Sequence, residues 1–305
     1  MIVVGERIHV ISPRVKAAFE AHDAQTIQQL ALRQAEAGAS FIDLNIGPAK
    51  KTGAELMPWL VDIVQAVTAV PLSLDTTNAV AMEAGLQRCK ATAMLNSTSA
   101  QPARQEAMLP LAAKYGTHLV ALTLTEQGIP GDATARADVA MGLLDAIAAA
   151  GVDIEKVYLD PLVLPVSADQ CGCEVTIEAI RYFKQLADPA PKAIVGLSNV
   201  SNGSPNEIRP LINRVYLALL MGAGLDAAII DPNDEDLMQT IRIVEQRDES
   251  TPVAKLLVAV ADASAAMEEL DPALVDMHDS EQADTYKTVR ILTNKTLYAH
   301  SYLRV

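Results

Sequence analysis

Eight times along this chain a short apolar run gives way to a stretch of helical periodicity, and that alternation restricts the fold more than any other feature. The runs begin at Met1, Phe41, Pro71, Ala93, His118, Lys156, Ala193 and Leu225. They are nearly continuous in apolar residues, as strands buried on both faces are. Between them lie amphipathic segments such as Thr26–Ala37, Ala54–Val67, Asn78–Cys89 and Thr134–Ala150, with Gly38 and Gly151 as stops, and Pro205-Asn206 opens the helix after the seventh run. Strict alternation of this kind implies a parallel sheet covered by helices. Eight units in about 245 residues fit a (β/α)8 TIM barrel better than an open doubly wound sheet. The open sheet would carry a glycine-rich first turn, and Gly5-Glu6-Arg7-Ile8 is not one. Residues 1–305 are therefore read as a single barrel domain.

Residues 246–283 break the rhythm. A charged linker runs from Glu245 to Pro252, an alanine-rich helix from Ala254 to Leu270, and an acidic, loop-like stretch from Asp271 to Gln282. The segment reads as an insertion in the last βα unit, either an exposed helical flap or a contact between protomers. A terminal helix is expected over Thr285–Tyr298.

The net charge of −14 argues against a nucleic-acid partner, because phosphate binding needs a positive footprint. Cys89, Cys171 and Cys173 do not form a disulfide framework, and the close pair reads as two reduced loop thiols. No apolar run reaches the roughly 18 residues of a membrane span. Residues 1–10 lack the basic start and cleavage site of a secretory leader. A cytoplasmic location is the expectation.

The placement of polar groups is more informative. In a parallel barrel the C-terminal strand ends converge on one face, where active sites sit. Five expected strand ends carry Asp or Asn: Asp43 with Asn45, Asp75, Asn96, Asp160 and Asn199. No His/Cys cluster accompanies them, so no metal site is expected. There is no G-x-S-x-G and no P-loop. Carboxylates and carboxamides with few cations suit a neutral heterocycle. Asp accepts paired N–H bonds, and Asn donates and accepts at once, so a pterin, which has an amidine-like edge and a lactam, matches both. Any one of these residues is as readily a helix N-cap; five strand ends together favour a shared mouth.

The chain resembles the pterin-binding methyltransferases, specifically the methyltetrahydrofolate:corrinoid/iron–sulfur protein methyltransferases. The resemblance is carried by GERI (5–8), DLNIGPA (43–49), SLDTTN (73–78), MLNST (94–98), LTLTEQGIP (122–130), LDPLVLP (159–165), GLSNVSNGSPNEIRPLINR (196–214) and DAAIIDPNDE (226–235). It implies a barrel that holds 5-methyltetrahydrofolate in its mouth. The methyl group would pass by SN2 displacement between N5 and the cobalt of a corrinoid (cobalamin) on a partner protein, and the enzyme would be a homodimer. Residue by residue, it implies that Asp75, Asn96 and Asp160 bond the pterin, with Asp43 in the same set. Gly196 and Ser198 would line the pocket, and Asn199 would approach N5 as the catalytic group. Asn202 and Arg209 match a further amide and an arginine, across a loop that is longer here. Two alternatives stand beside it. One is a dihydropteroate synthase-like condensation, which needs cations for its pyrophosphate leaving group. The other is a non-catalytic folate- or corrinoid-binding subunit.

Overall fold

A computed structural model describes residues 1–304. Strands β1 (Ile2–His9), β2 (Phe41–Asn45), β3 (Leu72–Asp75), β4 (Met94–Ser99), β5 (His118–Leu122), β6 (Val157–Asp160), β7 (Lys192–Gly196) and β8 (Ala227–Ile230) pair in sequence order. All pairs are parallel, and β8 returns to β1 to close the barrel. The (β/α)8 TIM barrel read from the alternation is the observed fold.

Two separate cores follow from the alternation of side chains along each strand. A small inner core of Val4, Phe41, Met94, Val120, Tyr158, Ile194 and Ala227 plugs the barrel. A much larger one lies between the strands and the surrounding helices. The inner core also sets the mouth. Counting on by two from an inward residue gives the next inward one, so Val4 leads to Glu6, Phe41 to Asp43 and Asn45, Met94 to Asn96, Tyr158 to Asp160, and Ile194 to Gly196.

The helices are α1 (Pro13–Ala21), α2 (Ala24–Glu36), α3 (Gly53–Gln65), α4 (Ala79–Leu86), α5 (Pro102–Tyr115), α6 (Ala133–Ala149), α7 (Cys171–Phe183), α8 (Arg209–Gly222), α9 (Glu235–Gln246), α10 (Pro252–Ala266) and α11 (Ser280–Leu292). Four differ from the sequence reading. Helix α1 is additional; it buries Val15, Ala18 and Phe19, a helical spacing. Helix α7 starts at Cys171, so the close thiols lie on a helix rather than a loop, with Cys173 buried and Cys171 exposed. Helix α8 starts at Arg209 rather than at Pro205-Asn206. Helix α11 starts at Ser280, because Asp279 caps the amides of Glu281 and Gln282.

Helix α8 is buried nearly all round, since the barrel lies on one side and α10 and α11 on the other. Leu256, Leu257, Val258 and Val260 of α10 are buried, so this helix is a packed layer and not an exposed flap. Gly222 allows the close approach: a Cβ there would stand 2.1 Å from the carbonyl oxygen of Ala261. Among the described residues no helix is long and apolar enough to cross a membrane.

Candidate active site

The inner files of β2, β3 and β4 end in a run of acids and amides that bond to one another. Asp43 Oδ1 accepts from Ser73 Oγ at 2.6 Å and from Asn96 Nδ2 at 3.2 Å. Asn45 Nδ2 donates to Asp75 Oδ2, and Asn45 Oδ1 accepts from the Gly47 amide at 3.0 Å. Burial raises the Asp43 carboxyl to about 6. Asp75 lies well above the usual carboxylate range, through burial and then repulsion from Asp43. Arg104 opposes that rise from a distance, while its guanidinium bonds the carbonyls of Thr77 (2.8 Å) and Ser97 (2.6 Å).

Asp160, at the end of β6, bonds its own chain: Oδ1 accepts from the Leu162 amide at 2.7 Å. Burial raises its carboxyl to about 7, against the pull of that amide and of Arg136. Arg136 is itself buried. It spends its guanidinium on the carbonyls of Pro130 and Leu162 and on Thr176 Oγ1, each at 3.1 Å. It thereby fixes the strand-to-helix loop that follows Asp160.

The opposite wall is a single 3-10 turn, Leu197–Ser201, which follows β7 directly. Asn199 is exposed at its crest. A Cβ on Gly196 would lie 3.0 Å from Asn199 Nδ2, so glycine leaves room for that amide. Asn202 Nδ2 donates to Asn199 Oδ1 at 3.3 Å. Arg209 then bonds Asn202 Oδ1 and Ser201 Oγ, both at 3.2 Å. The same loop is pinned from outside by Tyr298, whose hydroxyl reaches Ser204 Oγ at 2.7 Å. Ser198 Oγ donates to Glu6 Oε1 at 2.6 Å.

The structure thus places the sequence-derived candidates in two groups. Asp43 with Ser73 and Asn96, and Asp75 with Asn45, are two adjoining bonded sets that make up the first group, with Asp160 on the same inner surface. Gly196, Ser198, Asn199, Asn202 and Arg209 form the other. Glu6 was missed, although two residues beyond the inward Val4 is a legible position. Ser73 was missed because a serine inside an apolar run reads as strand filler. His9 only accepts from the Ile11 amide, at 3.0 Å, and is a turn residue.

Burial raises the carboxyl groups of Glu6, Asp43, Asp75 and Asp160 above the usual carboxylate range, so each can accept or donate a hydrogen bond, and among the described residues none of the four is ion-paired with a cation. Such a surface suits an uncharged ring with N–H donors and ring acceptors. The sequence pattern of the pterin-binding enzymes matches residues 13–231. The chain belongs to that family. This pterin-binding enzyme is 31% identical over 246 residues to a methylcorrinoid:tetrahydrofolate methyltransferase of Eubacterium limosum, covering 79% of the present chain and 89% of that protein. It is also 31% identical over 242 residues to a methionine synthase of Mycobacterium leprae, covering 75% of this chain but 20% of that longer protein. A dihydropteroate synthase of Stenotrophomonas maltophilia superposes with a TM-score of 0.61 over 82% of this chain and 94% of its own. At 17% identity that likeness concerns the fold alone.

Proposed function

We propose that this pterin-binding methyltransferase exchanges the N5-methyl group between tetrahydrofolate and the cobalt of a corrinoid that a partner protein carries. The single observation behind the reading is the asymmetry of the mouth. One wall consists of acids and amides, and the other presents one neutral amide, Asn199, held by Asn202. The first wall supplies what a pterin edge needs: Asp75, Asn96 and Asp160, with Asp43 behind them, accept or donate to ring N–H groups and the lactam. Gly196 and Ser198 line the pocket. Asn202 and Arg209 support Asn199.

Asn199 is the catalytic group in this reading. As the methyl–nitrogen bond breaks, its electron pair returns to N5, and an amide N–H placed there stabilises the transition state more than the ground state. The amide keeps its own protons, so the proton that N5 gains has another source. The corrinoid supplies the nucleophile in one direction and the methyl group in the other; the chain supplies position and electrostatics. The partner is a corrinoid protein, of the iron–sulfur type in the family the sequence resembles. The enzyme acts in the cytoplasm as a homodimer.

A pterin-pyrophosphate condensation is disfavoured by the arginines near the mouth. Arg104, Arg136 and Arg209 each bond backbone carbonyls or neutral side chains already. The experiment is spectral. Mixing the protein with 5-methyltetrahydrofolate and cobalt(I) cobalamin is expected to bleach the cobalt(I) band. Heat of binding without bleaching would leave a folate-binding subunit; neither signal, with condensation of a pterin pyrophosphate and an aminobenzoate, would establish the synthase.

A further inference from the structure

Glu6 belongs to the GERI segment of the first strand, residues 5–8. It lies on the inner file of β1, and Ser198, its hydrogen-bond donor at 2.6 Å, immediately precedes Asn199. Asp231 just after β8 and Asp43 on β2 act on it with like charge, and Arg7 is the cation that opposes them. Arg7 is itself paired with Asp231 at 3.3 Å. Burial, with repulsion from the two acids, brings the Glu6 carboxyl up to about 7 against the Ser198 bond. The other acids of the mouth are placed differently. Asp43 and Asp75 are tied to Ser73, Asn96 and Asn45 on the far wall, and Asp160 to its own loop. Among the described residues, Glu6 is the acid bonded to the turn that carries Asn199.

We propose that Glu6 and Ser198 handle the proton of the reaction: Glu6 holds it, and the Ser198 hydroxyl passes it to and from N5. The inference rests on the methyl-exchange reading above. When the methyl group leaves folate, the N5–carbon bond breaks and its electron pair stays on N5, while cobalt(I) supplies the pair for the new cobalt–carbon bond. Ser198 Oγ gives its proton to N5 and takes the proton of Glu6, which is left as a carboxylate and is reprotonated by solvent. In the other direction the N5 lone pair takes the methyl group and the cobalt–carbon pair returns to cobalt. The proton then released from the N5 ammonium passes through Ser198 to ionised Glu6. A hydroxyl suits this because it donates and accepts at once. Glu6 acts through Ser198 and is a positioning residue for the proton.

Two measurements test the pair. In infrared difference spectra of the protein alone between pH 5 and 9, a protonated-carboxyl band titrating near 7 is expected in the wild type. One component of it should be missing in Glu6→Gln. In single turnovers of 5-methyltetrahydrofolate with cobalt(I) cobalamin, the wild-type rate is expected to fall as pH rises through about 7. Glu6→Gln and Ser198→Ala are expected to lose that limb and to be slower by about a hundredfold at pH 6, with folate affinity nearly unchanged in Glu6→Gln. Ser198→Thr, which keeps the hydroxyl, is expected to retain the limb. Glu6→Gln or Ser198→Ala with the wild-type pH profile would overturn the pairing and leave the methyl-exchange reading standing. A wild-type protein that bleaches no cobalt(I) would overturn that reading instead.

Discussion

The side-chain amide of Asn202 holds the oxygen of the Asn199 amide, with Nδ2 of Asn202 3.3 Å from Oδ1 of Asn199. Asn202 is fixed in turn by Arg209, which bonds its oxygen and so leaves its nitrogen free to donate. The relay determines which end of Asn199 is available as a donor. An isosteric Asn202→Asp change removes the donor and offers an acceptor, so the Asn199 amide should turn over to meet it. Its N–H is then withdrawn from the mouth. The expected loss in methyl-transfer rate is on the order of a hundredfold, the same as for Asn199→Ala, with folate affinity changed only a few-fold. Single-turnover rates beside calorimetric titrations separate the two quantities; a rate within twofold of the wild type would show that the amide's orientation is irrelevant.

Gly196 makes the same point from the other side. Its φ of −81° is open to any residue, so alanine is not strained there. The new Cβ would nevertheless lie 3.0 Å from Asn199 Nδ2. Gly196→Ala is expected to leave the melting temperature almost unchanged and to lower the transfer rate by roughly tenfold or more, because a sub-ångström displacement of a positioned donor is costly. Thermal denaturation and single turnovers on one preparation check both halves.

What could be read from the sequence follows from which interactions are local. The barrel was legible because eight buried strands and their helices each announce themselves within a dozen residues. Asp43, Asp75, Asn96 and Asp160 were legible as strand ends, since period two along a strand fixes which face a residue takes. Which of them bond to which was not. The bond from Ser198 to Glu6 spans 192 residues of sequence, and a Ser-rich loop gives no sign of which hydroxyl will meet an acid. The packed role of α10 was missed for a related reason. Its alanine-rich face has a weak pattern, and the groove that receives it exists only because Gly222 on α8 lacks a side chain.

That groove yields a stability prediction away from the mouth. A methyl group at Gly222 would meet Ala261 O at 2.1 Å and Ser264 Cβ at 2.8 Å, and a backbone carbonyl cannot move aside as a flexible side chain would. Gly222→Ala should push α10 away from α8. It also breaks the setting in which Ser264 Oγ donates to Leu219 O at 2.7 Å and Arg181 bonds Ser264. A cost of about 1–3 kcal/mol is expected in urea unfolding, with methyl-transfer rates at 25 °C unchanged. An unaltered unfolding midpoint would mean that α10 carries no stability.

Arg136 tests a buried cation that has no carboxylate against it. Removing its side chain takes the donor from Pro130 O and one of the partners from Leu162 O and Thr176 Oγ1, which stay bonded to each other and, for Thr176, to Gly172 O; it also removes a fully buried side chain, and a buried acceptor left unpaired costs about 1–3 kcal/mol. Arg136→Ala is expected to lower the unfolding free energy by several kcal/mol and to loosen the loop after Asp160. Hydrogen exchange at residues 161–170 reports the second effect, and protection equal to the wild type there would separate Arg136 from the loop.

Asp160 links the mouth to pH. Its carboxyl rises from an ordinary 3.8 to about 7 on folding because burial penalises the charge. The folded state therefore binds this proton more tightly than the unfolded chain does. The stabilisation is complete below about 4, declines as pH rises, and is gone above about 7, where the buried group must ionise. Asp160→Asn stays neutral throughout and keeps an oxygen for the Leu162 amide. Its stability relative to the wild type should therefore increase between pH 4 and 7 and level off above. The upper bound on the increase is on the order of 4 kcal/mol. Urea denaturation of both proteins at pH 5, 6, 7 and 8 measures the gap directly. A gap independent of pH would mean that Asp160 ionises in its ordinary range, and a gap that narrows with pH would reverse the sign of its contribution.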